Sequence, residues 1–170
     1  MFPAMPRLVV GACLILVGVT ACSGSDSTSG GASGQPTALT MINGEVPPGT
    51  PTSMISEVTL LDVTEDGRTT FIRRGTRAPD TRSPIHFHPS GGSTCVESGQ
   101  MTLYLEGAEP LTAGAGECYW MPAGLPMSGY NSGDTDAVFI DSFTLPEGTS
   151  YFDAVEQVQP IPGHDGHSSP

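Results

Sequence analysis

Between residues 55 and 143 the chain alternates short runs of β-branched, aliphatic and aromatic residues with Gly, Pro, Asn and Asp turns, at intervals of about 8–12 residues. No ten-residue stretch carries the apolar spacing of a helix. Met101, Leu103 and Leu105 alternate with Thr102 and Tyr104, a period of two that sends alternate side chains to opposite faces of a strand. The rhythm predicts strands over residues 55–63, 69–73, 85–88, 101–105, 118–121, 127–131 and 137–143. Glu65-Asp66-Gly67, Glu106-Gly107, Ala113-Gly114-Ala115-Gly116 and Asn131-Ser132-Gly133-Asp134 read as turns. The 22 glycines and 16 prolines suit such a chain, and the fold class expected is all-β, a single small sandwich or barrel. Past residue 145 the sequence turns Pro- and Gly-rich, with room for one or two helical turns over residues 151–158.

The formal charge is −12 and the chain contains no lysine, so the basic footprint of a nucleic-acid-binding surface is absent. The five arginines that follow the first 25 residues all fall between Arg68 and Arg82, and the rest of the domain is acidic.

Arg7 is the only charged side chain in the first 25 residues, and residues 8–19 form an apolar run of 12. Such a run is too short to span a bilayer as a helix and fits the core of a signal peptide. It ends in Val19-Thr20-Ala21-Cys22, which resembles a bacterial lipobox. The resemblance implies cleavage after residue 21, lipidation of Cys22, and anchoring to the cell membrane on its extracytoplasmic side. A Ser- and Gly-rich tether follows, with a reach of roughly 25 Å. The expected organisation is therefore a signal peptide over 1–21, a lipidated tether over 22–40, one folded domain over 41–148 and a tail over 149–170. Cys13 leaves with the signal peptide. Cys95 and Cys118 remain in a compartment that permits disulfides and are expected to form a bridge, the alternatives being two buried thiols or Cys95 as a metal ligand.

Two stretches resemble the paired motifs of the cupin family. The second motif runs Gly116, Pro122-Ala123-Gly124, Met127, Asn131, with every spacing kept and methionine where the family has histidine. The first runs His86-Phe87-His88 and closes on Gly99. Its glutamate would fall at Gly92 or Ser93, neither of them acidic, and its leading glycine at Asp80. The resemblance implies a jelly-roll barrel over about residues 55–145.

His86 and His88, at i and i+2, share a strand face and can both point into such a barrel. The family completes the pair with a carboxylate and a third histidine. Here that carboxylate is missing, and Met127 is a poor donor to hard ions though a tolerable one to copper. Two readings stay open: His86 and His88 line a metal-free pocket, or with Met127 they hold a divalent transition metal or copper weakly. By the resemblance, Arg77 and Arg82 sit near the barrel mouth and can receive a carboxylate or phosphate, and Trp120 is a further candidate ligand contact. The expected function is binding of a small ligand by a membrane-anchored lipoprotein. The alternative is a metal-dependent enzyme of the oxygenase or isomerase type, disfavoured by the two missing ligands. His164 and His167 in the tail are assigned no function.

Overall fold

The computed structural model describes residues 39–157. The leader, Cys22, the tether up to residue 38, and the tail with His164 and His167 lie outside the described residues.

Twelve strands follow in chain order: β1 (Thr50–Pro51), β2 (Ser56–Glu65), β3 (Arg68–Arg77), β4 (Thr81–Arg82), β5 (His86–Phe87), β6 (Gly92–Ser98), β7 (Gln100–Leu105), β8 (Leu111–Gly114), β9 (Cys118–Met121), β10 (Met127–Asn131), β11 (Ala137–Pro146) and β12 (Asp153–Ala154). They form two sheets. One runs β2-β3-β11-β6-β9. In the other, β10 carries β4 and β5 along one edge and β7, then β8, along the other, with β1 beside β4 and β12 beside β5. The two sheets make a jelly roll, as the motif spacing implied.

The local chemistry explains the elements. Asp66 and Gly67 both have positive φ, 51° and 70°, so the two-residue turn matches the twist of β2 and β3 and sets Glu65 opposite Arg68. At Gly99, φ is 76°, and an added Cβ would lie 2.8 Å from the Ala137 backbone. That corner lets the chain leave one sheet at β6 and enter the other at β7. Pro84 cannot donate to a ladder, which helps explain why the pairing with β10 breaks into the two short strands β4 and β5.

Met101, Leu103, Val96, Tyr119, Met121, Met127, Phe139 and Phe143 form the buried layer between the sheets. On the outer face of the five-stranded sheet, Cys95 and Cys118 stand opposite each other in the β6–β9 ladder and are joined by a disulfide. The bridge closes a separation of 23 residues. On the chain-entropy account its reduction costs about 3 kcal/mol. A fall in the midpoint of urea unfolding under reducing conditions, absent in a Cys95→Ala/Cys118→Ala variant, checks this.

Residues 151–157 are not helical. They run along β5 as β12, with Asp153 opposite Phe87 and Ala154 opposite His86. Val155 and Glu156 donate their backbone N–H groups to the Ile85 carbonyl, and the Glu156 carboxylate accepts the Ile85 N–H at 2.8 Å. Period-three apolar spacing in 151–158 is too short to decide a helix, and the unpaired edge of β5 offers the backbone a better partner.

Candidate functional site

The site is built on β3, β5, β11 and the segment after β11. Proline at 84 ends the ladder beside β5, and its carbonyl is free to accept the His86 Nδ1–H at 2.8 Å. His88, two residues on, shares the inward face, and its Nδ1–H donates to the Tyr151 carbonyl. The two Nε2 atoms approach to 3.2 Å. Phe152 stacks on His86 at 4.2 Å between centroids, and Phe143 lies against His88 at 4.7 Å. Burial, and after it the neighbouring His88, pushes the His86 imidazole down to about 3. Burial lowers His88 as well, against the opposing pull of the Tyr151 carbonyl.

These rings line a cavity of about 290 Å³ between the sheets. Met54, Met101, Leu103, Met121, Met127 and Phe139 form its apolar walls. Its polar walls are the histidine pair, Thr94, Tyr119, Asp141 and two arginines, Arg73 and Arg77. Every nitrogen of Arg73 is engaged: Nε and Nη2 donate to Asp141 Oδ2 at 3.2 and 3.1 Å, and Nη1 donates to Glu57 at 2.6 Å and to the Tyr151 hydroxyl at 3.0 Å. Asp141 also accepts the Thr94 hydroxyl at 2.6 Å. Arg77 is different. It is 4% exposed, donates only to the Thr52 carbonyl at 3.2 Å, forms no ion pair among the described residues, and its buried Nε has no partner. Burial pulls it down to about 10, against the opposing field of Asp141.

The structure therefore brings His86, His88, Met127 and Arg77 to one cavity and removes two candidates from it. Arg82 is not at the mouth. It is 2% exposed, lies outside the lining of the cavity and is locked in a two-armed ion pair with Glu156 at 2.5 and 2.8 Å, so it ties the C-terminal segment down. Trp120 points outward from β9, opposite Ser93 and 63% exposed, because inward parity on that strand belongs to Tyr119 and Met121. Glu97 is also outside, paired with Arg74 at 2.5 Å.

The donor set does not make a three- or four-ligand metal centre. Among the described residues no group of three His, Cys, Asp or Glu side chains can hold a metal ion. Ser93 is on the outer face. At Gly92 a Cβ would lie 2.5 Å from Phe143 Cε1 and 2.9 Å from the Ser142 carbonyl, so the ring of Phe143 occupies the place of the missing carboxylate. The nearest buried acid, Asp141, is committed to Arg73 and Thr94. What remains is a pair of imidazole nitrogens.

Sequence reasoning missed Arg73 as a site residue, together with Asp141, Tyr119 and Tyr151. A signal was present for two of them. Arg73 has the same strand parity as Arg77, and Asp141 interrupts the inward series Ala137, Phe139, Phe143, Leu145 of an otherwise apolar strand.

A two-sheet jelly roll closed around a cavity that carries a His-x-His pair is the arrangement that the motif resemblance implied. The model of the cupin domain family matches residues 73–143. No curated protein matches it. Among solved structures, a conserved protein with a double-stranded β-helix domain from Klebsiella pneumoniae is 19% identical, with a TM-score of 0.46 over 64% of this chain and 91% of that one. The DMSP lyase DddQ from Ruegeria pomeroyi is 16% identical, with a TM-score of 0.49 over 59% of this chain and 51% of the lyase, so the match spans about half of that enzyme.

Proposed function

We propose that this protein is a cell-envelope lipoprotein whose cupin domain binds a small ligand. It is held to the membrane through acyl chains on Cys22, facing the extracytoplasmic side. One observation carries the binding reading: the 290 Å³ cavity sets buried, incompletely partnered polar groups, Arg77 with His86 and His88, against apolar walls. Its size lies at the lower edge of the roughly 300–1,000 Å³ typical of small-molecule sites. Screening a small-molecule set for binding to the purified protein tests it. Ligands that raise the melting temperature of the parent chain but not of a variant with the cavity filled by Gly129→Leu are expected.

The anchor is tested separately. Cys22→Ala is expected to release the protein from membranes or to leave it as an unprocessed precursor. A membrane-bound variant of mature size would refute anchoring at Cys22.

Any metal taken up by this cavity is held by His86 and His88, with Met127 at the paired position of the neighbouring strand. Two imidazoles alone hold a divalent ion or copper weakly, because water fills the other positions. Dialysis against chelator is therefore expected to strip the metal, measured by mass spectrometry, with little change in unfolding midpoint. Retention of one equivalent would favour the alternative, a metal-dependent enzyme of the oxygenase or isomerase type.

A further inference from the structure

The cavity has two poles of opposite hydrogen-bonding character. The first is Arg77. A buried guanidinium with a bare Nε and no carboxylate partner is costly, and an anionic oxygen is the group that its donors fit best. Arg73 does not compete for that anion, because Asp141 and Glu57 already neutralise it. Those same acids disfavour a dianion, so a carboxylate suits the cavity better than a phosphate.

The second pole is the histidine pair. Each Nδ1 faces a carbonyl oxygen, which can only accept, so each Nδ1 carries the proton. With both Nδ1–H groups committed to carbonyls, each Nε2 is the acceptor end of its ring, and the two face the same point 3.2 Å apart. Two acceptors cannot satisfy each other. The arrangement is complementary to a group that donates hydrogen bonds, such as a hydroxyl. The rest of the apolar lining is thioether, aliphatic and aromatic surface, and the volume of about 290 Å³ suits a short carbon skeleton.

We infer that the cavity takes a small hydroxy-monocarboxylate, its carboxylate on Arg77 and its hydroxyl on the Nε2 pair of His86 and His88. This rests on the reading of the cavity as a ligand site.

Calorimetric titration of the full chain, purified in detergent and freed of metal by chelator, tests it with four-carbon probes. These are 2-, 3- and 4-hydroxybutanoate, butanoate without the hydroxyl, and the corresponding amides without the charge. At least one hydroxybutanoate is expected to bind about tenfold or more tighter than both butanoate and its own amide, as befits one charge-assisted hydrogen bond at each pole. Arg77→Gln is expected to erase the preference for acid over amide. His88→Phe is expected to erase the preference for the hydroxyl. The wild-type probe series stands as a test even where a variant does not fold. Equal binding of acids and amides overturns the carboxylate, and equal binding of butanoate and the hydroxybutanoates overturns the hydroxyl. Binding that appears only when a divalent ion is added also overturns the inference, because a cation then satisfies the two nitrogens. If only unrelated neutral compounds bind, the inference fails and the ligand-site reading survives. If nothing enters the cavity, both fail.

Discussion

Gly92→Glu, the change that would restore the carboxylate of the family motif, is expected to destabilise the domain by about 3 kcal/mol or more and to create no metal site. The reason is geometric. The position faces inward on β6, and a Cβ there would run into the Phe143 ring, 2.5 Å from its Cε1, and lie 2.9 Å from the Ser142 carbonyl of the adjacent central strand. The backbone oxygen belongs to a ladder and cannot give way, and Phe143 is 2% exposed, wedged against His88 and Tyr151. Ser93→Glu, one residue on, is the control. It points to the outer face opposite Trp120 and is expected to change stability by no more than about 0.5 kcal/mol. Urea unfolding of both variants, with metal uptake measured on the folded fraction, checks the pair. A Gly92→Glu protein of wild-type stability that gains a tightly held ion would show that Phe143 moves aside and that a metal centre is readily recovered.

The same contact shows what the sequence could reveal and what it could not. Strand positions were legible because alternation and turn residues are local signals. The expected segments 118–121 and 127–131 coincide with β9 and β10, and Asp66-Gly67 turns where the sequence says it must. Strands β6 and β8 escaped notice because glycine, serine and threonine dilute the apolar alternation of residues 92–98 and 111–114. The histidine pair was legible from i, i+2 spacing. The identity of its neighbours was not. Which parity faces inward decides that Tyr119 lines the cavity and Trp120 does not, and a four-residue strand does not carry that information. Arg77 and Arg82 look alike in sequence, and a residue 74 positions away separates them. Glu156 claims Arg82 and leaves Arg77 without a carboxylate. The segment read as a tail thus completes the lining of the site through Tyr151 and Phe152, and Glu156 ties it down on Arg82.

Acidification from pH 7 to pH 5 is expected to weaken the fold by roughly 2 kcal/mol through His86 alone. The folded protein holds this imidazole neutral, at about 3, because it is sealed between Phe152 and His88; free in the unfolded chain it titrates near 6.5. Between those values the unfolded chain binds a proton that the native state refuses, so stability is fully present above about pH 6.5 and falls as the pH drops towards 3. His88, also lowered by burial, adds to the effect in the same direction. Most carboxylates titrate below this window, so the interval from pH 6.5 to 5 isolates the histidines. Unfolding free energies from urea titrations at pH 7, 6 and 5 give the slope. A double change, His86→Phe with His88→Phe, should flatten it even if the variant is less stable at every pH. Equal stability of the parent protein at pH 7 and pH 5 would mean that the rings accept protons in the folded state. The two nitrogens would then take up protons over the same interval as the unfolded chain, and the seal of Phe152 over His86 would not exclude them.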